Sequence, residues 1–387
     1  MCDMAEPSPD FAALRERAFN LRWATTDEGV IPLTAADPDL PVAEEVMQAM
    51  ARYIARPHLC YGPARGLPEF RTAVAAHFAR DKAAEVGPGR VIAANSAASA
   101  IALVARHLIR AGDEVVIQDP VDFLIAESAR RAGAVLRPWT PDDGRFTLAG
   151  LVRAVTARTR VISVCHPHNP LGCLWAPEEV RAISEFARAR GIVVLSDEVW
   201  SDVRLDGRAF ASFAGQPGAW VVYGLSKGFA LAGLRIGAVI APDEDAAGRF
   251  SDESGFEQTI EGAATLSQVA ATAALREADN WRSEFLRHCA AQRDRAIGRL
   301  SRLPGVRVQH APEATFVLFV DVRETGRPAE EIAARLESVA RVRVVPGSPR
   351  WFGDGAAGHI RLSLATTAAV LAEALDRIER AWPRVVG

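Results

Sequence analysis

The stretch Ile192-Val193-Val194-Leu195-Ser196-Asp197-Glu198-Val199-Trp200 sets the reading of the whole chain. It opens on an unbroken apolar run and ends in an acid. A strand with one wet face alternates polar and apolar residues, whereas a strand covered on both faces does not. The run over 192–196 is therefore read as a strand inside a buried, mostly parallel sheet. A helical pattern over 177–190 precedes it, with Pro177 placed for a first turn. The alternation continues in both directions. Strands are expected at 91–94, 114–118, 160–165, 220–223 and 236–241, and helices at 97–111 and 123–132. Such β–α alternation marks an α/β fold.

Further out, apolar residues at helical spacing predict helices over 44–54 and 68–82. Residues 1–45 read as an irregular arm bearing Pro7, Pro9, Pro32, Pro38 and Pro41. The pattern is helical over 257–278 and again over 280–303. After Pro304-Gly305, short strands (306–309, 315–321, 342–345, 359–363) alternate with helices (328–340, 367–380). This predicts a large domain over 46–285 and a smaller α+β domain built from 1–45 and 286–387.

Composition narrows the function. The chain has 387 residues, 49% apolar, with a formal net charge of −3. That length suits two lobes or one large α/β domain, and that apolar share excludes disorder. The near-neutral charge argues against a nucleic-acid partner. No apolar run is long enough for a membrane span. The segment Met1 to Asp10 holds acids and no basic residue, unlike a signal peptide, so a cytoplasmic protein is expected. The cysteines are Cys2, Cys60, Cys165, Cys173 and Cys289, an odd number without CxxC spacing. Neither a disulfide framework nor a metal site is expected. Of 45 basic side chains only Lys82 and Lys227 are lysine. Arginine stays charged, whereas a lysine amine can become neutral and nucleophilic. A lysine that persists in such an arginine-rich chain calls for a reason.

Three segments carry the chemistry. Tyr223-Gly224-Leu225-Ser226-Lys227 follows a strand and precedes Gly233-Leu-Arg235-Ile-Gly237. Asp197 ends the strand over 192–196, and ligands bind at strand carboxyl ends in open α/β sheets. Cys165-His-Pro-His-Asn169-Pro170-Leu-Gly172 forms a turn after another strand. In this order and spacing the three resemble the class I/II aminotransferase superfamily of fold-type I enzymes that use pyridoxal 5′-phosphate (PLP). The resemblance runs from about Pro32 to the last helix. It implies a large domain with a mostly parallel seven-stranded sheet and one antiparallel strand, beside a smaller α+β domain. It implies a Schiff base between PLP and Lys227, with Asp197 on the pyridinium nitrogen, Asn169 on the ring oxygen and Arg235 on the phosphate. Ser96, Ala97 and Ala98, at a helix N-terminus, suit the same phosphate. Ser226 is a further contact there. Arg361 would clamp the carboxylate of an amino-acid substrate. Tyr61 and Thr265 would reach the phosphate of a second subunit, which implies a homodimer with the active site at its interface.

Departures from the pattern are equally specific. Gly224 stands where many members carry a hydroxyl residue. Asp122 stands where an aromatic residue usually stacks on the cofactor, leaving Phe123 as the candidate. Trp200 replaces a common tyrosine beside the cofactor. Ala35-Ala36-Asp37-Pro38-Asp39-Leu40 and the Pro-His-Asn-Pro turn look like the MalY/PatB cystathionine β-lyase branch. The first expectation is therefore C–S β-elimination. The alternatives are an aminotransferase and a specialised cyclase or annulation enzyme. A ligand-sensing transcription regulator fits poorly, because only about 30 residues precede the resemblance, too few for a DNA-binding domain.

Overall fold

The computed structural model describes residues 9–16, 22–258 and 260–387. Its strands are β1 (Ile31–Pro32), β2 (Val91–Ala94), β3 (Glu114–Gln118), β4 (Val135–Trp139), β5 (Thr159–Cys165), β6 (Val193–Asp197), β7 (Trp220–Gly224), β8 (Gly237–Ile240), β9 (Val317–Asp321), β10 (Val342–Arg343), β11 (Val345–Pro346) and β12 (His359–Ser363). The α-helices are α1 (Phe11–Glu16), α2 (Glu44–Ile54), α3 (Pro68–Asp81), α4 (Ala97–Leu108), α5 (Phe123–Arg131), α6 (Leu148–Ala154), α7 (Pro177–Arg188), α8 (Glu244–Glu253), α9 (Thr265–Glu277), α10 (Asp279–Leu300), α11 (Ala329–Arg335) and α12 (Ala368–Val386).

Seven strands form one sheet in the order β2-β8-β7-β6-β5-β3-β4. Strand β8 runs antiparallel to both neighbours, and the other pairings are parallel. Successive residues feed opposite faces: Val194 joins one apolar core and Leu195 the other. That division explains the unbroken apolar runs. Both faces are covered, so both positions of the pleat favour apolar residues. Helices α2, α3, α7 and α9 supply one core, and α4, α5 and α8 the other.

A three-stranded antiparallel sheet, β11-β12-β9, and the parallel pair β1-β10 build the smaller part. Helix α10 belongs to both parts. Phe285 and Cys289 sit in a core of the large sheet, while Ala296 and Leu300 sit in the small core with Leu371 and Trp382. Among the described residues no helix is long and apolar enough to cross a membrane.

Some expectations change. The strand over 306–309 reduces to an isolated bridge between Arg307 and Asp321. The strand over 342–345 splits, with β10 pairing to β1 and β11 to β12. Helix α9 starts at Thr265, so 257–258 and 260–264 are not helical, and residue 259 lies outside the described residues. The sequence reading omitted β4, α6 and α8, and it read α1 as part of an irregular arm. Within the arm over 1–45, β1 pairs with β10, and residues 1–8 and 17–21 lie outside the described residues.

Candidate active site

A cavity of about 790 Å³ opens between the carboxyl ends of β5, β6 and β7 and the face of the smaller sheet. Ser96, Ala97, Ala98, Phe123, Asn169, Asp197, Trp200, Ser226, Lys227, Arg235 and Arg361 all line it. Tyr61 and Thr265 do not. Tyr61 is 93% exposed. The two are nonetheless near one another, because a Cβ on Gly62 would lie 3.3 Å from Thr265 Oγ1.

Asp197 is the last residue of β6 and sits beside Cys165 in the ladder. Its Oδ1 accepts the Val199 N–H at 3.1 Å. Burial pushes this carboxyl up to about 7, and the nearby Asp122 acts in the same direction. A carboxyl so placed gains strongly from a cation brought next to it. Lys227 lies in the loop after β7. Its Nζ donates to the Ala36 carbonyl at 2.6 Å and rests 5.6 Å from the Trp200 ring centre. Burial lowers its pKa, while Asp37 and Asp122 act against that.

The third group is an anion cradle. Ser96 caps α4, its Oγ accepting the Ser99 N–H at 3.2 Å. Arg235 Nη2 donates to the same Oγ at 2.8 Å. Ser96 and Arg235 hold φ of 84° and 50°. That left-handed backbone is costly for side-chain-bearing residues and is found at ligand clamps. The first turn of α4 carries no acid to compete for its N–H groups. Gly237 lets the chains approach here: a Cβ on it would meet Ala97 N at 2.7 Å and Tyr223 O at 2.9 Å. Gly224 likewise packs against Ala97, whose Cβ would lie 3.1 Å from an added Cβ.

The fourth group faces these from β12. Arg361 is buried, with Nη1 donating to Asn169 Oδ1 at 3.3 Å and Nη2 to the Thr34 carbonyl at 3.0 Å. Both acceptors are neutral, and its Nε is buried without a partner. Burial pulls this guanidinium down to about 10. A desolvated cation with an unused donor is a receptor for a carboxylate.

Asn169 is more constrained than expected. Its Nδ2 donates to Asp122 Oδ2 at 2.9 Å. Asp122 also caps α5 through the Leu124 N–H at 3.1 Å, so it serves as both cap and cavity wall. Phe123 lines the cavity with its ring edge-on to Trp351, centres 5.6 Å apart. Trp351 and Phe352 were missed by sequence reasoning, as were Thr34 and Ala36 as wall residues. The Ala35–Leu40 motif was the available signal for Ala36. Nothing in the periodicity around Trp351 marked it.

A family model described as "Aminotransferase class I and II" matches residues 28–378. The chain belongs to this family. The aspartate aminotransferase of Geobacillus stearothermophilus is 30% identical, covering 95% of this chain and 94% of its own. The probable aspartate/prephenate aminotransferase of Thermus aquaticus is 32% identical, covering 95% of each. Among solved structures, the aromatic aminotransferase of Pyrococcus horikoshii superposes with a TM-score of 0.85 at 27% identity, covering 93% of this chain and 98% of its own. Cystalysin from Treponema denticola reaches 0.87 at 20% identity, over 96% of this chain and 97% of its own, which speaks for the fold alone. The class I/II relationship is thus firm, and these relatives do not single out the β-lyase branch.

The protein is a PLP-dependent enzyme, and its residues fit that cofactor. A strained, acid-free helix N-terminus with an arginine suits a phosphate. A buried carboxyl with no ion-pair contact among the described residues suits a pyridinium nitrogen. A buried amine in the same cavity suits an aldehyde carbon.

Proposed function

We propose that this enzyme is an aminotransferase, moving an amino group between an amino acid and a 2-oxo acid. The named relatives favour this over β-elimination, the first expectation from sequence. The observation that carries the reading is the meeting of Lys227, Asp197, the Ser96–Arg235 cradle and Arg361 around one cavity. Lys227 would hold the cofactor through its aldehyde carbon, Asp197 its ring nitrogen, and Ser96, Ala97, Ala98, Ser226 and Arg235 its phosphate. The cofactor supplies an electron sink for the pair left at the substrate Cα. Arg361 holds the substrate carboxylate and so fixes which Cα bond faces Lys227. Its spare Nε–H and water-poor surroundings make that grip strong. Lys227 Nζ is the base that would take the substrate Cα proton and hold it for return. Burial keeps this amine neutral more readily than a surface lysine, which a general base requires. Asp197 would hold a proton at the ring nitrogen of the bound group. Phe123, Trp351 and Phe352 form an aromatic wall near Arg361 that suits an apolar or aromatic substrate side chain.

We assign the large domain to 46–285 and the smaller one to 1–45 and 286–387, with α10 as the shared strut. We also assign a homodimer. Met47, Ile54, Leu59, Tyr61 and Ile260 are exposed large apolar side chains on α2, the turn after it and the loop before α9. A paired face would cover them and bring Tyr61 and Thr265 to a neighbouring phosphate.

β-Elimination has its own supporting observation. Trp200 offers no phenolic hydroxyl beside Lys227, so the base works in a less polar setting. One experiment separates the two. The PLP-loaded protein is mixed with aspartate, phenylalanine, alanine and cystathionine. Conversion of the cofactor to its amino form, reversed by a 2-oxo acid, supports transamination. Steady release of thiol, ammonia and 2-oxo acid with the cofactor unchanged overturns it in favour of the lyase. Turnover of none of these points to the specialised reaction that Asp122 suggests.

A further inference from the structure

Lys227 accounts for one of the two lysines. The other, Lys82, lies outside the cavity, just past the end of α3, and is fully buried. Its Nζ donates to Ser201 Oγ at 2.8 Å and to Asp202 Oδ1 at 2.7 Å. The rings of Phe78, Phe210 and Tyr223 surround it, with centres 5.6, 5.6 and 5.2 Å from Nζ. Such a cage suits a compact ammonium better than a broad planar guanidinium.

The partners of this lysine lie on the two segments that carry the proposed chemistry. Ser201 and Asp202 belong to the stretch that begins with Asp197 and passes through Trp200. Asp202 Oδ2 accepts the Tyr223 hydroxyl at 2.6 Å, and Tyr223 lies on β7 just ahead of the Lys227 loop. The Asp202 side chain also abuts Gly228, where an added Cβ would lie only 2.3 Å from Asp202 Cβ. The residue after Lys227 therefore rests directly on Asp202. On the other side, the Lys82 carbonyl accepts the Ser212 N–H at 2.9 Å, and Ser212 Oγ donates to Glu198 Oε2 at 2.6 Å. Glu198 adjoins Asp197. His77 Nε2 lies 2.7 Å from Asp202 Oδ1, and Arg282 Nη1 donates to it at 3.3 Å. Asp81, Arg204, Arg80 and Asp279 are further charged groups facing this cluster.

We propose that Lys82 and Asp202 form a positioning pair that fixes Asp197 and Lys227 relative to each other from behind the sheet. This rests on the reading of Lys227 as the cofactor-bearing residue. Neither Lys82 nor Asp202 touches the cavity, so neither is a catalytic residue. A buried ion pair holds its geometry stiffly, because any separation leaves a charge without water. Two loops tied to one such pair cannot drift independently.

The test uses the full-length holoenzyme with Lys82→Met and Tyr223→Phe. As a control, Arg299→Met breaks the ion pairs to Asp376 and Glu379 in the smaller part. Four readouts are taken: the pH midpoint of the lysine-linked cofactor band, PLP affinity of the cofactor-free protein, the split of kcat against KM, and the melting temperature. Lys82→Met is expected to shift the midpoint by about one pH unit, since Lys227 would no longer be held at a fixed place among the charged groups that act on it, Asp37, Asp122, Arg361 and Asp197. It is also expected to weaken PLP binding and to lower kcat about tenfold or more, with KM within about threefold. Tyr223→Phe is expected to weaken PLP binding and lower kcat to a smaller degree, with KM again held. Arg299→Met is expected to lower only the melting temperature. If Lys82→Met and Tyr223→Phe melt earlier but keep the wild-type midpoint, affinity and kcat, the pair is merely structural and the proposal fails. If Lys82→Met does not fold, Tyr223→Phe decides alone by the same readouts. A wild-type holoenzyme with no lysine-linked band would instead overturn the function reading and take this proposal with it.

Discussion

Arg361 donates to two neutral oxygens and keeps Nε unpartnered, so replacing the guanidinium tests its role directly. Arg361→Lys keeps the charge and loses the fork. The expected result is a fall in kcat/KM for every amino acid of about tenfold to one hundredfold, the equivalent of roughly one charged hydrogen bond. PLP affinity should stay near wild type, as titration of the cofactor-free protein would show. An equal loss of cofactor binding would place Arg361 at the cofactor instead. Lys227→Ala should abolish the lysine-linked absorption band, and turnover surviving that change would sink the assignment. These polar residues were readable in the sequence because each sits at a position dictated by backbone geometry: a strand end, a turn or a helix start. Arg361 and Asp197 lie on strands whose apolar neighbours announced them. The aromatic wall was not readable. Trp351 and Phe352 follow no period, and only the tertiary fold brings them to Phe123. The engagement of Asn169 by Asp122 was also hidden, since the two are 47 residues apart.

Among the elements, α4 matters most because its N-terminus forms the anion cradle. Its position depends on Gly237 at the start of β8. A Cβ there would meet Ala97 N, Ser96 C and Tyr223 O, all within 3 Å and all backbone. Backbone cannot swing aside as a side chain can, so Gly237→Ala should push the cradle open. The expected outcome is a loss of PLP affinity of roughly tenfold or more, about the effect of a poorly aligned charged hydrogen bond. An unchanged dissociation constant would show that β8 and α4 can part without harm. The same element scale shows why the fold was largely legible. Strands β3, β5, β6 and β7 are covered on both faces and read as continuous apolar runs. Strand β4 escaped because it is the sheet edge: Val135, Arg137 and Pro138 are exposed, and proline is tolerated at an edge that needs no further ladder bond. Helix α6 has only 7 residues, too few to display a period. Helix α8 escaped as well, although Asp243 caps it through the Ala246 N–H and Phe250 anchors it in a core.

Taken as a whole molecule, the cofactor-free protein combines two opposing sets of buried titratable groups. Burial raises Asp197 and Glu198 to about 7. Burial lowers His166 and His168, packed among aromatic rings, to about 3. In the unfolded chain the acids titrate near 4 and the imidazoles near 6.5. Between about pH 4.5 and 6.5 the folded protein therefore keeps two protons on the acids, and the unfolded chain keeps two on the imidazoles. The proton counts match, so these four groups give no slope in that window. Removing one member breaks the balance with a predictable sign. In Asp197→Asn the folded state binds one proton fewer, so stability should rise with pH by about 1.4 kcal/mol per unit. In His166→Phe the unfolded state binds one proton fewer, so stability should fall with pH at about the same rate. Urea unfolding of each cofactor-free variant at several pH values across the window, compared with wild type, measures both slopes. Variants that shift stability in parallel, without opposite tilts, would show that the acids and imidazoles are less sequestered from water than the fold indicates. PLP should act on one side only. A ring nitrogen held at Asp197 stabilises its carboxylate, so the loaded protein should lose the acid's share of the balance and tilt in the same sense as Asp197→Asn.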